Sequence, residues 1–332
     1  MTTPNTPAAI GRILILGGTG FVGRTLCEKL AEADPATRLV VPTRRLKHGA
    51  AMRVLPTIDL QQADVHDDAT LQRLVAGCSA VVNLVAILHG SAAAFEHVHV
   101  ALPRRLAAAC LNAGVRRVVQ VSALGIATSN APPGQTAPSD YLRSKTQGEA
   151  VLRDSGLALT LLRPSVIFGA EDRFTNLFAE LQQVAPVIPL AGSNARFQPV
   201  WVDDVAAAIV RCLQDPATVG VTYECTGPDE MTLSQIVRYA GRWAGCERPQ
   251  IALPGWAATL QARTMEWLPG GPLMSRDNLR SMQVPNVASG LLPGLPALGI
   301  EPTAMAAVAP GYLQARFQRP LLDRWRARAH RG

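Results

Sequence analysis

Ile13-Leu14-Ile15-Leu16-Gly17-Gly18-Thr19-Gly20-Phe21-Val22-Gly23 is the stretch on which the fold turns: an aliphatic run, a glycine turn, then the opening of a helical pattern. A short continuous apolar run reads as a buried parallel strand, and a strand feeding a glycine-rich turn and a helix is the first unit of a dinucleotide-binding sheet. Gly17 permits the tight turn, Gly20 lets backbone approach a pyrophosphate, and Gly23 lets the helix pack on the strand. The amino-terminal amides of that helix then face the anion. Thr19, Phe21 and Val22 complete the loop expected to touch a cofactor.

Outward from this stretch, β-branched runs alternate with Ala/Leu/Arg-rich segments of helical period as far as Pro164, the pattern of repeated βα units. Strands are expected at Arg12 to Leu16, Arg38 to Thr43, about Thr57 to Gln62, Ala80 to Ala86, Arg117 to Ser122 and Leu159 to Arg163. A long helix is expected from Ala92 to Ala113, with Gly114 as its cap and a kink or split near Pro103. Beyond Pro164, Pro and Gly become frequent. Thr232-Leu233-Ser234-Gln235 reads as a capping box opening a helix through Ala244, and a helix from Asp203 to Leu213 is expected to return to the main sheet. The fold class is α/β: a doubly wound parallel, Rossmann-type sheet with a smaller C-terminal α/β lobe. Residues 10–164 plus about 200–221 form the dinucleotide-binding domain, about 165–199 and 222–310 the smaller lobe, and 311–332 a basic tail. Leu268 to Pro272 and Pro293 to Pro296 read as loops.

Bulk properties narrow the function classes. Of 332 residues, 48% are hydrophobic and 17% charged, which suits a well-packed chain and not a disordered one. The apolar run Ala80 to Leu88 is far short of the roughly 20 residues a bilayer-spanning helix needs. Met1 to Ala9 lacks the basic start and apolar stretch of a secretory signal, so cytoplasmic residence is expected. Six scattered cysteines and six histidines show no metal-ligand spacing, so reduced thiols and no metal site are expected. The net charge of +7 concentrates in the tail, where Arg316, Arg319, Arg324, Arg326, Arg328 and Arg331 oppose only Asp323. Such a tail is either solvated or a means of peripheral contact with the inner membrane face or an acidic partner. Nucleic acid is not expected, because aromatic content is 5% and no basic groove is interleaved with aromatics.

The end of the second strand bears on the cofactor. An acidic residue there would bind ribose hydroxyls; Thr43-Arg44-Arg45 instead offers two guanidinium groups suited to a 2′-phosphate. NADP(H) is favoured, with NAD(H) the alternative. Asp64-Val65, after the third strand, occupies the place that covers an adenine, although an Asp there is equally a turn-former. Ser122 closes a strand, and Tyr141-Leu142-Arg143-Ser144-Lys145 opens the next helix with Lys145 one turn from Tyr141 on the same face. A nearby ammonium lowers a phenol's pKa and can hold a ribose, so Tyr141 could exchange a proton with a substrate oxygen to which Ser122 hydrogen-bonds.

These motifs in this order resemble the extended or atypical short-chain dehydrogenase/reductase superfamily, of the NAD-dependent epimerase/dehydratase kind, from Ile10 to about Asn286. Tyr141 to Lys145, Arg163-Pro164-Ser165-Val166-Ile167-Phe168-Gly169 and Glu171-Asp172-Arg173-Phe174 are similar to the NADPH-binding accessory subunit of respiratory complex I and its free-standing bacterial relatives. The resemblance implies that Pro164, Ser165, Val166 and Ile167 line the nicotinamide side, that Leu84, Val85, Ala86 and Val121 complete the cofactor contacts, and that Val202 to Val205 joins the lobes. Many members carry an Asn where this chain has His99, which puts the usual proton relay in doubt; a buried or partly exposed His is expected there, not a second base. Two roles follow: NADP-dependent reduction, oxidation or epimerisation at a hydroxyl or carbonyl of a small-molecule substrate, apolar or quinone-related, by hydride transfer with Tyr141 as acid or base; or a non-turnover NADPH-binding accessory or redox-sensing protein of a respiratory complex or ubiquinone biosynthesis assembly. Phe174, Phe178, Phe197, Trp201, Trp256 and Trp267 are expected in the core, with an apolar pocket as the alternative.

Overall fold

Runs of β-branched residues too short to be helices become strands buried on both faces. In the computed structural model, which describes residues 11–126, 137–267 and 274–318, strands and helices alternate as β1 (Arg12–Leu16), α1 (Phe21–Ala33), β2 (Arg38–Thr43), the half-buried edge strand β3 (Ile58–Gln62), α2 (Asp68–Val75), β4 (Ala80–Asn83), α3 (Ala92–Glu96), α4 (Leu102–Asn112), β5 (Arg117–Val121), α5 (Asp140–Arg153) and β6 (Ala158–Pro164). Seven strands pair in parallel in the order Thr222–Cys225, β6, β5, β4, β1, β2, β3. Between β1 and β4 the winding reverses, which opens a crevice at their carboxyl ends. The doubly wound α/β fold is the expected one.

The remaining helices are α6 (Thr175–Val184), α7 (Val202–Gln214), α8 (Leu233–Trp243), α9 (Gly255–Met265), α10 (Arg276–Ser281) and α11 (Met305–Leu313). One face of the sheet packs Ile13, Ile15 and Val82 against Leu26 and Leu30 of α1 and Val205 and Ile209 of α7. The other packs Leu14, Val81 and Val118 against Leu71, Leu106 and Leu152. A separate core joins α6, α8 and α11 around Phe168, Leu190 and Leu233. The capping box at α8 forms in both directions, Gln235 N–H to Thr232 Oγ1 at 3.2 Å and Thr232 N–H to Gln235 Oε1 at 2.7 Å.

Several expectations need correction. β4 ends at Asn83, not Ala86, because the buried Asn83 side chain turns the chain: its amide donates to Gln120 Oε1 at 2.8 Å and its oxygen accepts from Val85 N–H at 3.1 Å. The sheet does not stop at residue 221, since Thr222–Cys225 is its seventh strand, and of Pro293 to Pro296, expected as loop, Leu295 and Pro296 open a 3₁₀ turn (Leu295–Leu298) against the same core. The Ala92 to Ala113 helix has the irregularity expected near Pro103 as a wide π turn at His97–Ala101 between α3 and α4, which the chain crosses without leaving helical backbone. Pro103 is the cause: it has no N–H for the carbonyl of His99 four residues back, and its ring crowds that carbonyl. Trp256 and Trp267 are 75% and 80% exposed, whereas Phe174, Phe178, Phe197 and Trp201 belong to the core around α8. Leu268 to Pro272, expected as loop, and the part of the basic tail beyond Gln318 lie outside the described residues. Within them, no helix is long and apolar enough to cross a membrane, and no cluster of three or more His, Cys, Asp or Glu could hold a metal.

Candidate functional site

The expected cofactor residues follow the carboxyl ends of successive strands. Gly17 has φ +80° and lies so close to the chain leaving β4 that a Cβ would stand 3.1 Å from the Leu84 carbonyl carbon and 3.2 Å from Val85 N. Gly23 is tighter: a Cβ would meet Gly17 O, Gly18 Cα and Gly18 O, each at 2.5 Å, so only glycine seats α1 on the turn. Gly20 is exposed, and α1 opens there with no side-chain cap and no acidic residue in its first turn. Its amino-terminal N–H groups and helix dipole therefore suit an anion. Thr19 is held by Arg24, which donates to its carbonyl at 3.1 Å and also pairs with Glu171 at 2.8 Å. The Phe21 ring abuts Gly169, where a Cβ would lie 3.0 Å from Cζ, while Val22 packs into the sheet core.

β2 and β3 run in register, Thr43 beside Gln62, so Arg44, Arg45, Asp64 and Val65 gather at one edge. Arg44 and Arg45 are exposed, and among the described residues neither makes an ion pair. Asp64 Oδ1 accepts from His66 N–H at 3.0 Å, the turn-forming role; Ala86 is exposed beside the half-buried Leu84 and Val85.

At the end of β5, Ser122 is buried and its Oγ has no hydrogen-bond partner among the described residues. A buried hydroxyl without a partner costs about 1–3 kcal/mol, which a ligand atom can recover. α5 begins at the Ser139 cap, whose side chain accepts from Leu142 N–H at 3.1 Å, and carries Tyr141 and Lys145. Lys145 is buried, with Nζ 3.5 Å from Val121 O. Burial lowers its pKa to about 8, opposed by the charge of Glu149. Burial also pushes the Tyr141 phenol up to about 12, so the depression expected from Lys145 does not govern the protein on its own: desolvation outweighs it. Tyr141 sits in apolar company, edge-on to Phe95 with centroids 6.0 Å apart and packed with Ile126, Leu142 and Val284.

Of the other functional neighbours, His99 and Arg163 stand out in the sequence, whereas Asp277, Asn286 and Glu149 carry no sequence signal of their own. Asp277, on α10, accepts from Asp140 N–H at 2.7 Å and Tyr141 N–H at 3.0 Å and so caps the first turn of α5 from far along the chain. Asn286 accepts through Oδ1 from Ser165 Oγ at 2.7 Å and Val166 N–H at 3.1 Å, fixing the segment after Pro164 that runs into Ile167. Glu149 and Arg163, both buried, pair through two bonds of 3.0 and 2.7 Å and tie α5 to β6. His99 is buried, with Nε2 3.1 Å from Ile87 N and Nδ1 2.8 Å from Ser144 Oγ. A π turn facing a catalytic-type helix could have been read from Pro103; the contacts of Asp277 and Asn286 could not, because their partners lie more than 100 residues apart.

A parallel sheet with a glycine turn at its switch point, an uncapped helix amino terminus and a Ser, Tyr and Lys beyond β5 defines a dinucleotide-binding protein of the short-chain dehydrogenase/reductase type. The chain belongs to the NAD dependent epimerase/dehydratase family, whose model matches residues 13–225, and so to the NAD(P)-binding oxidoreductases of Rossmann fold. Over 298 residues it is 30% identical to the mitochondrial NADH dehydrogenase (ubiquinone) 1 alpha subcomplex subunit 9 of Mus musculus, covering 88% of this chain and 76% of that protein. Over 247 residues it is 28% identical to the ceramide reductase of Caulobacter vibrioides, covering 74% of each. Its fold is shared with the NADPH-dependent quinone oxidoreductase of Escherichia coli solved with NADPH (TM-score 0.70, 22% identity, 91% of this chain and 99% of that one).

Proposed function

We propose that this protein is an NADP(H)-dependent reductase of a carbonyl, or oxidant of the matching hydroxyl, in an apolar, lipid- or quinone-like molecule. The observation that carries the reading is the buried Ser122 Oγ at the end of β5, partnerless among the described residues, on the same sheet edge as Lys145 and the glycine turn. The residues fit the cofactor: Gly17 and Gly20 with the α1 amides for the pyrophosphate, Arg44 and Arg45 for a 2′-phosphate, Asp64 and Val65 for the adenine, Lys145 and Tyr141 for the ribose, and Leu84 to Ala86, Val121 and Pro164 to Ile167 for the remainder. When bound, that cofactor supplies or accepts the hydride. Ser122 donates a hydrogen bond to the substrate oxygen and orients it. Tyr141, whose raised pKa keeps the phenol protonated at neutral pH, gives that oxygen its proton during reduction. Lys145, still mostly protonated near neutral pH but with its pKa lowered to about 8, is acid enough for its ammonium to return a proton to the Tyr141 phenolate. The apolar surroundings of Tyr141 support an apolar substrate, as does similarity to a protein named ceramide reductase.

The second reading is favoured by similarity to a respiratory-complex subunit over 88% of the chain. In it, NADPH is held without turnover and the protein, cytoplasmic or peripheral at the inner membrane face through its basic tail, serves an assembly. Purification without added nucleotide, release by denaturation and identification of whatever is bound tests both. Bound NADPH that does not exchange with excess NADP within minutes supports the second reading. An exchanging site, with Tyr141→Phe losing reductase activity but keeping nucleotide affinity, supports the first. Recovery of NAD overturns the assignment to Arg44 and Arg45.

A further inference from the structure

We propose that His99 is a positioning residue that locks the chain leaving β4 to the turn bearing Tyr141 through one fixed, uncharged tautomer. The inference rests on the reductase reading above for its functional meaning, and on hydrogen-bond direction for its chemistry. Ile87 N–H can only donate, so the His99 Nε2 that it meets at 3.1 Å must be the acceptor nitrogen. The ring proton is then on Nδ1, which donates to Ser144 Oγ at 2.8 Å. Ser144 passes the direction on, donating to the Tyr141 carbonyl at 2.8 Å. Each donor has one acceptor, and a second ring proton would leave Ile87 N–H facing a donor.

The surroundings enforce the neutral form. His99 lies between Phe95, stacked at 5.6 Å, and the Tyr141 ring, edge-on at 5.5 Å. Burial, and then the charge of Lys145, lower its pKa to about 3. Those two, Lys145 and Tyr141, are the ionisable groups it faces. The backbone is shaped to the purpose. The π turn at His97–Ala101 displaces the His99 carbonyl toward α5, where a Cβ on Gly148 would stand 1.9 Å from it. Glycine at 148 and proline at 103 thus set the imidazole against Ser144, one turn from Tyr141. The consequence is that His99 relays no proton during turnover and instead sets the position of Leu84 to Ile87 relative to α5.

The test uses the full chain with 15N-labelled histidine, followed by NMR from pH 5.5 to 8, without and with NADPH. The expected result is one ring with Nδ1–H and an unprotonated Nε2 throughout. Titration in that range, or an Nε2–H tautomer, overturns the proposal. NADPH affinity by fluorescence provides the second readout. His99→Gln, which offers an acceptor and a donor side by side, stays within about threefold of wild type, while His99→Leu weakens binding about tenfold by leaving Ile87 N–H without an acceptor. If His99→Leu fails to fold, Ser144→Ala, which keeps the ring and the Ile87 contact but removes the acceptor of Nδ1–H, is expected to leave Nε2 unprotonated and to weaken NADPH binding several-fold; an Nε2–H ring or an unchanged affinity overturns the coupling. A wild-type protein that binds neither NADPH nor NADH refutes the reductase reading and leaves the tautomer result standing.

Discussion

Replacing Lys145 with methionine is expected to stabilise the protein in the absence of nucleotide while weakening its hold on NADPH. The ammonium is 5% exposed and reaches one carbonyl, Val121 O, at 3.5 Å. Its pKa falls from 10.5 to about 8 because burial disfavours the charged form. In the unfolded chain the group returns to its ordinary value, so between pH 8 and 10.5 the unfolded state binds the extra proton and stability rises with pH. Below that window both states are charged and the whole cost is present; above it neither is charged and the cost is gone. At about 1.36 kcal/mol per pKa unit the cost near neutrality is roughly 3 kcal/mol. Methionine fills similar space without charge, and Glu149 keeps its bonds to Arg163. Urea unfolding of both proteins at pH 7, 8.5 and 10.5, read by circular dichroism, should show Lys145→Met more stable by about 2–3 kcal/mol at pH 7, with the gap closing as pH rises. A variant less stable than wild type at pH 7, or a gap independent of pH, refutes the argument that this lysine is held against its own solvation.

Gly23→Ala should cost at least about 1–3 kcal/mol and abolish nucleotide binding, since its Cβ meets only backbone of the glycine turn at 2.5 Å; thermal unfolding and NADPH fluorescence report the two losses. The double variant Arg44→Ala, Arg45→Ala should lose about 10–100-fold in NADPH affinity, the worth of one charge-assisted contact to a phosphate, with NADH affinity within about threefold. Equal losses on both nucleotides would show that these arginines do not read the 2′-phosphate. Asp277→Ala, which removes two acceptors from the first turn of α5, should destabilise by about 1–2 kcal/mol in chemical denaturation.

How much was legible beforehand follows from where the information lies. Strands β1 and β2 fall where the apolar runs begin and end, because a strand buried on both faces has no other composition available to it. β4 came out shorter than its apolar run because Asn83, one polar residue, finds its partners in Gln120 and Val85, a contact invisible to periodicity. The aromatic residues divide for the same kind of reason: Phe178 and Phe197 meet a third layer of helices, while nothing among the described residues covers Trp256. Pro103 signalled an irregularity, but its place depended on Gly148 lying opposite.

By itself the sequence determined the order of βα units, the glycine turn at the first of them, and the placing of Arg44, Asp64, Ser122 and Ser165 just beyond strand ends. These are local matters of periodicity and φ preference, and parallel pairing then carries every strand end to one edge. Only the tertiary structure decided the charge and proton states at that edge. Asp277 and Val284 reach it from elsewhere in the chain, and burial in the folded protein is what lowers Lys145, raises Tyr141 and keeps His99 neutral. Desolvation depends on everything that surrounds a group, so no window of sequence contains it.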